Sequence, residues 1–553
     1  MLKERENNFI VRGAAALTLA LAFATNAFAG DVEDVLRQLP LKGVQADDAE
    51  QKKDAPLPAG ASRATPSITA PAVEPFVLKS VTIEGATVFA EGAFRAAYSD
   101  QLMKTVGASE LARIAEDITK IYRAHGYFLS RAIIPAQDVA QGHLRIRIVE
   151  GYIAAVEIDG DVPELAAYAD TLVSERPAQL TTLERTLYLM GDAPGVRFKA
   201  SRMAPDGDDI ARHKLIVTAE RVRYELSFYS DNRGKPNAGE LQAIARAGVA
   251  HVIGFGDRLS GGFFFVPDQP EELELGLLNY TTALGHDGAV LTLDGSVSRN
   301  DLGDSGPGLD NLSESTRFFG QVSYPLVRGR ETSLWLHGGF ETLHIRQEVS
   351  GALSYQDDIV VAHVAATLRQ TIWDGLATVY LEVADGFVKA PDVAHSRADA
   401  DGRFTKLFAQ ATYVHPIGPL SVFAEVDGQV SDQALLSANE FALGGSRIGR
   451  GYDTGEISGE EGVGGVVELR YYDKITEWLA AQVYGFYDAG IVWNDNAPPG
   501  LDDMTLSSAG AGVRLSLPYA VYVSYEAAKP LTRTPAVTGD KDVRHFFSLS
   551  WSL

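Results

Sequence analysis

From about Tyr224 to the last residue, apolar and polar positions alternate with period two in roughly sixteen segments, separated by polar or Gly/Pro-containing turns. In one late segment Leu479, Ala481, Val483, Tyr487, Ala489, Ile491 and Trp493 share an apolar face, opposite Gln482, Tyr484, Phe486 and Asp488. A neighbouring segment sets Val463, Val467, Leu469 and Tyr471 against Glu468 and Arg470, and the last sets Val543, His545, Phe547, Leu549, Trp551 and Leu553 on one side. Charge on one face only, segment after segment, suits a barrel with lipid outside and a wet lumen inside. Tight turns at Pro416-Ile417-Gly418-Pro419 and Pro518-Tyr519 contrast with long connections at 300–314, 391–403 and 431–461, as expected of periplasmic and extracellular rims. A large soluble β-sandwich or propeller also alternates. Alternation carried through to the final strand, together with an export signal, favours the membrane barrel, placed at residues 223–553.

Upstream the period changes. A strand is expected from Phe76 to Glu84, then a helix over 109–125 with Leu111, Ile114, Ala115, Ile118, Ile121 and Tyr122 on one face and Gly126 as its stop. Strands near 129–134 and 144–149 close a first unit, 76–153. A second unit, 154–222, restarts with V-E-I-D-G at 156–160, echoing V-T-I-E-G at 81–85. It carries a helix near 163–173, another opening at Thr181 with a Thr181-x-x-Glu184 capping box, a turn at 192–195 and a strand at 215–218. A mixed unit repeated twice is an organisational signal, not a chemical one.

Residues 1–29 read as a signal peptide: Lys3, Arg5 and Arg12 are basic, 14–24 is apolar, and Ala27-Phe28-Ala29 fits a cleavage site. In the segment 30–75, Val32, Val35, Leu36 and Leu39 give a short helix one apolar face, and a Pro-rich linker follows. That helix either plugs the lumen or belongs to a free tail. Beyond Gly30 no run approaches the roughly 18 apolar residues of a spanning helix.

A net charge of -24 argues against a nucleic-acid partner, and the absence of cysteine excludes disulfides, thiol catalysis and thiolate metal sites. The histidines have no metal-ligand spacing, no phosphate-binding loop occurs, and G-D-S-G-P-G at 303–308 reads as a turn in a polar loop. Neither an enzyme nor a cofactor or metal is expected.

Among the strands, L-G-G-S-R-I-G-R-G-Y at 443–452 and G-F-Y-D-A-G at 485–490 stand out, with I-V-E-G-Y-I at 148–153, D-A-P-G-V at 192–196, S-D-N-R-G at 230–234 and G-F-G-D at 254–257. With the export signal and tether, these motifs resemble the outer-membrane transporters of two-partner secretion, the FhaC/ShlB-like haemolysin secretion/activation family. The resemblance covers nearly the whole mature chain. It implies α+β periplasmic POTRA-like units followed by a transmembrane antiparallel β-barrel of about 16 strands.

It further implies a long loop whose R-G-Y tip, Arg450, Gly451 and Tyr452, folds back into the lumen, with Arg450 paired to Asp488. Gly444, Gly445, Gly449, Phe486, Gly490, Glu468 and Arg470 are the expected supports. Asp488 lies on the inward face, where a bond to guanidinium offsets the cost of burying a carboxylate. The sequence departs from the family in having Ile448 before the Gly-Arg step and Leu553 in place of a terminal aromatic. The partners implied are a secreted exoprotein captured in the periplasm through its N-terminal secretion domain, outer-membrane lipid, and the assembly machinery that inserts the barrel. An insertase for other outer-membrane proteins and a passive porin are the competing readings.

Overall fold

The computed structural model describes residues 73–235, 239–270, 273–302, 311–388, 394–400, 402–494 and 502–553. The expected signal peptide, the helix near 31–39 and most of the linker lie outside them. The chain divides into an N-terminal unit and a barrel unit, with the division at Arg221/Val222.

In the N-terminal unit the strand expected from Phe76 to Glu84 is two strands. Phe76–Val77 pairs with Thr105–Val106, whereas Ser80–Glu84 runs parallel to His143–Val149, which Arg131–Ile133 flanks on its other side. The switch falls at Leu78 and Lys79, whose amides donate to Lys104 and to Gly142. A period-two pattern cannot show such a change of partner.

The helix is Ala108–Ala124, one residue earlier than expected at each end. The Glu110 carboxylate accepts the Gly107 amide at 2.9 Å, satisfying a donor at the helix start. Leu111, Ile114, Ala115, Ile118 and Tyr122 are buried against the sheet, each contributing roughly 1.5–3 kcal/mol for the larger side chains. Gly126, at φ +88°, follows the helix end.

Glu150, from the I-V-E-G-Y-I motif, ties this unit together. Its carboxylate accepts the Thr87 amide (2.8 Å) and hydroxyl (2.5 Å), the Val88 amide (3.3 Å) and the Tyr122 hydroxyl (2.7 Å). Burial pushes its pKa up, but these bonds outweigh burial and hold it below the ordinary carboxylate value.

The second sheet orders Tyr152–Asp159, Arg212–Arg221 and Val196–Pro205, with the first two strands parallel. Two expectations are corrected. The helix Leu180–Asp192 starts one residue before Thr181, so Thr181 lies inside its first turn and cannot cap it; the Gln179 amide is instead taken by Glu175 at 2.9 Å. The helix expected near 163–173 is a 3-10 segment, Pro163–Ala169, running into a single α turn, Asp170–Ser174.

The barrel unit is a closed antiparallel barrel of sixteen strands, from Tyr224–Asp231 to Arg544–Ser552, whose first and last strands pair (Ser548 opposite Asp231). The parity follows the sequence pattern. Val463, Val467, Leu469, Tyr471, Val483, Tyr487, Phe547 and Leu549 are exposed outward, while Glu468, Arg470, Gln482, Tyr484, Phe486 and Asp488 are buried inward. Turns on one rim are tight, as where Ile417 pairs with Leu420 and Ile372 with Gly375. The long connection expected over 300–314 is shorter, because Ala289–Leu302 and Asn311–Arg328 extend into it and Asn300 pairs with Ser313.

Candidate functional site: the loop inside the barrel

Between the strands Leu420–Ser431 and Glu461–Thr476 the chain turns inward instead of crossing the rim. Two short strands, Phe441–Leu443 and Ile457–Gly459, pair to make its stem. Phe441, Leu443, Ile448, Tyr452 and Ile457 are buried against inward residues of the wall, among them Val466, Tyr484, Phe486, Val492 and Leu506. The tip closes on itself, with the Gly444 amide donating to Ile448 and the Tyr452 amide to Gly449, both at 2.9 Å. Gly444 (φ +116°), Gly445 and Gly449 all take positive φ, and a Cβ on Gly444 would lie 2.1 Å from the Asp453 carbonyl oxygen. Gly490 lets the stem touch the wall: a Cβ there would be 2.4 Å from a Leu443 methyl.

Arg450, 4% exposed, points into a cluster of carboxylates from three wall strands. Its Nη1 donates to Glu468 Oε2 at 2.8 Å and to Glu526 Oε2 at 3.1 Å, and the guanidinium lies 3.9 Å from the Phe486 ring centroid. Register explains the convergence. Glu468 stands opposite Phe486, while Arg470, Tyr484, Gly512 and Glu526 form one row across four adjacent strands. Glu468 also accepts from Arg470 and Arg514, each at 2.6 Å, and Glu526 from Arg233 at 2.6 Å and Tyr484 at 2.7 Å. Several charge-assisted bonds offset the cost of burying each of these carboxylates.

The expected hydrogen bond from the Arg450 side chain to Asp488 is not formed. Arg450 Nε stands 3.8 Å from Asp488 Oδ2, an ion-pair separation but too long for a hydrogen bond. Asp488 instead holds backbone. It accepts the Arg450 amide at 3.2 Å, the Ser508 amide at 3.1 Å and the Ser508 hydroxyl at 2.5 Å. The Gly451 amide donates to the Ser508 hydroxyl at 3.0 Å, and the Tyr452 hydroxyl to the Ser507 carbonyl at 3.0 Å. The reason is reach: Asp488 lies one inward row nearer the long-loop rim than Glu468, level with the tip's backbone, while the longer arginine side chain passes it to reach the glutamates.

The structure thus brings together all the site residues named from the sequence, with Arg470 reaching the cluster through Glu468. It adds Arg233, Arg514, Glu526 and Ser508, which sequence reasoning missed. Arg233 belongs to the S-D-N-R-G motif and stacks 3.7 Å over the Phe546 ring. Further ties are Arg447 to Glu425 and to Asp427 (2.8 Å), and Arg544 to Asp453 (2.5 Å). The signal available for Glu425, Asp427 and Glu526 was a charged residue in a strand that is otherwise apolar on its outer face. No group of three or more His, Cys, Asp or Glu residues suited to a metal ion occurs among the described residues.

A family model for the ShlB-type POTRA domain matches residues 76–151. The heme/hemopexin transporter protein HuxB of Haemophilus influenzae is 21% identical over 447 residues, 77% of this chain and 78% of HuxB. The outer membrane transporter CdiB of Dickeya dadantii is 20% identical, over 79% of each chain. Among solved structures, CdiB from Escherichia coli superposes with a TM-score of 0.75 at 18% identity, covering 96% of this chain and all of that one. CdiB from Acinetobacter baumannii gives 0.65 at 15% identity, covering 95% and 99%. These two likenesses establish the fold. A second family model, haemolysin secretion/activation protein ShlB/FhaC/HecB, matches residues 214–515, more than half of the 553-residue chain, which therefore belongs to that family.

Proposed function

We propose that the loop seated in the lumen is the resting gate of the pore and that Arg450 is its latch. The chain is an outer-membrane transporter of two-partner secretion, with its N-terminal POTRA domain in the periplasm and its barrel as the route for a partner exoprotein. The observation that carries the gate reading is the burial of Arg450 between Glu468 and Glu526, which arise from separate wall strands. An ionic latch suits a reversible plug. The Coulomb attraction of a buried pair is largely offset by lost hydration, so water can replace the partners at modest net cost when the loop leaves.

On this reading the N-terminal unit captures the extended exoprotein through backbone hydrogen bonds at a sheet edge. The bound segment is then passed into the lumen, and folding of the exported part outside the cell drives transit, since the site supplies no nucleotide chemistry. The exposed apolar band meets outer-membrane lipid, and the assembly machinery inserts the barrel by recognising the apolar alternation of the strand Arg544–Ser552, which carries Trp551.

Arg450→Glu places a carboxylate among Glu468, Glu526 and Asp488, and Asp488→Arg removes the acceptor for the loop backbone. Both variants are expected to stop secretion while the barrel still folds, read as exoprotein in the medium and as a heat-modifiable band on gels. Full secretion from both would sink the latch.

A further inference from the structure

The tip of the lumen loop is held by Arg450, but its stem is held elsewhere. We infer that residues 394–400, part of a different connection on the same rim, form a second lock on this loop, with Arg397 as the positioning residue. The inference rests on the gate reading above.

Residues 394–400 lie between the strands Gly375–Val388 and Phe404–Ile417. Arg397 Nη1 donates to Glu440 Oε1 at 2.7 Å and contacts the Glu460 carboxylate. Glu440 immediately precedes the stem strand Phe441–Leu443, and Glu460 immediately follows Ile457–Gly459. One guanidinium therefore spans both arms of the stem at its base. The Ser458 hydroxyl donates to Glu440 Oε2 at 2.7 Å, and Asn494, within 3.4 Å of Arg397, donates to the Ser458 carbonyl at 2.9 Å. Asp399 orients the guanidinium from its own segment, at 2.8 and 3.2 Å.

Glu440 and Glu460 are 6% and 3% exposed. Two buried carboxylates on neighbouring arms repel, and the arginine between them supplies the opposing charge. Its removal leaves like charges at the base of a two-strand stem only three residues long.

The segment is also fastened to the wall. Ser396 Oγ accepts the Ser437 amide at 3.0 Å, and His395 Nδ1 lies 3.1 Å from Asp357 Oδ1 on the strand Ala352–Ile372. Leu435 and Leu436 are fully buried with Ile359, Val361, Ala384 and Phe404. None of these residues belongs to the cluster around Arg450. The loop is thus pinned at two stations, tip and base, and its withdrawal has to break both sets of contacts, so that loss of either one makes opening more frequent.

The chain has no cysteine, so a single engineered disulfide can be read without background. Full-length protein in planar bilayers with KCl as the permeant salt is compared as native, Arg397→Ala, Arg450→Ala, and the pair Ser396→Cys with Ser437→Cys. Arg397→Ala is expected to raise the frequency of open events about tenfold, the factor corresponding to loss of one charge-assisted contact. The oxidised double-cysteine chain is expected to open about tenfold less often than native, with reductant restoring it. Native behaviour of Arg397→Ala beside a more open Arg450→Ala overturns the lock and leaves the gate standing. If neither arginine variant moves, the gate reading falls and the lock with it. A chain whose cross-link is verified by gel shift, yet which opens as often as native, overturns the lock even if Arg397→Ala fails to fold.

Discussion

Glu468 accepts from three arginines, while Asp488 is met by two backbone amides and a serine hydroxyl; the two acids do different work and their variants separate it. Glu468→Gln keeps the shape but leaves Arg450, Arg470 and Arg514 short of a negative charge. Breaking one side of a buried ionic cluster costs about 3–5 kcal/mol. Asp488→Asn keeps an acceptor oxygen for the amides and is expected to cost about 1 kcal/mol, the net scale of one hydrogen bond. Protease cleavage within 443–452, followed over time, should be much faster in Glu468→Gln than in Asp488→Asn; the reverse order would place the main anchor at Asp488. Arg450 was legible only through the family resemblance carried by L-G-G-S-R-I-G-R-G-Y, since an arginine between glycines in a long loop reads by itself as a solvated turn. Glu526 and Arg233 were not, although they touch, because they lie 293 positions apart and alternation gives the face of a residue without its neighbour across the barrel.

At the scale of elements, the stem of the loop comes close against the wall at Gly462, Gly464 and Gly490, where side chains are missing. Gly490→Val drives methyl groups into Leu443 and the Val463 carbonyl, with an expected cost of about 1–3 kcal/mol from overpacking. Its loop should be cleaved faster by protease while the barrel remains heat-modifiable; a loop as resistant as native would contradict the packing.

In the N-terminal unit, Glu150 links the helix Ala108–Ala124 to residues 87–88. Its folded pKa is depressed, so its contribution is fully present above the unfolded value of about 4.3 and is lost as pH falls through the folded value. The melting temperature of this unit should be higher in native protein than in Glu150→Gln at pH 7, with the gap closing in acid below about pH 4. A gap independent of pH would remove the ionised carboxylate from the account. This helix was readable almost to the residue from its apolar stripe. The split of the strand expected from Phe76 was not, because it depends on which distant carbonyl each amide meets.

Across the whole molecule, sixteen strands and their parity were legible because lipid and lumen impose opposite demands on alternate residues. Rim connections were less so, since polar residues continue the ladder at 300–302 and 311–314 as readily as they form a loop. Deletion of 76–221 should abolish secretion while leaving a heat-modifiable barrel; undiminished secretion would assign capture to the barrel itself.

For the partner to pass, the loop must leave the wall. A Cβ on Gly451 would lie 3.0 Å from Ser508 Cβ and 2.8 Å from the Pro530 backbone nitrogen, so a disulfide to position 508 is within reach once the tip shifts to relieve the Pro530 contact. The measurement is secretion of the partner exoprotein by the Gly451→Cys/Ser508→Cys chain, oxidised and then reduced. Secretion is expected to be lost while the bond is closed and to return on reduction. Full secretion through a barrel whose loop tip is covalently fixed to the wall would contradict it.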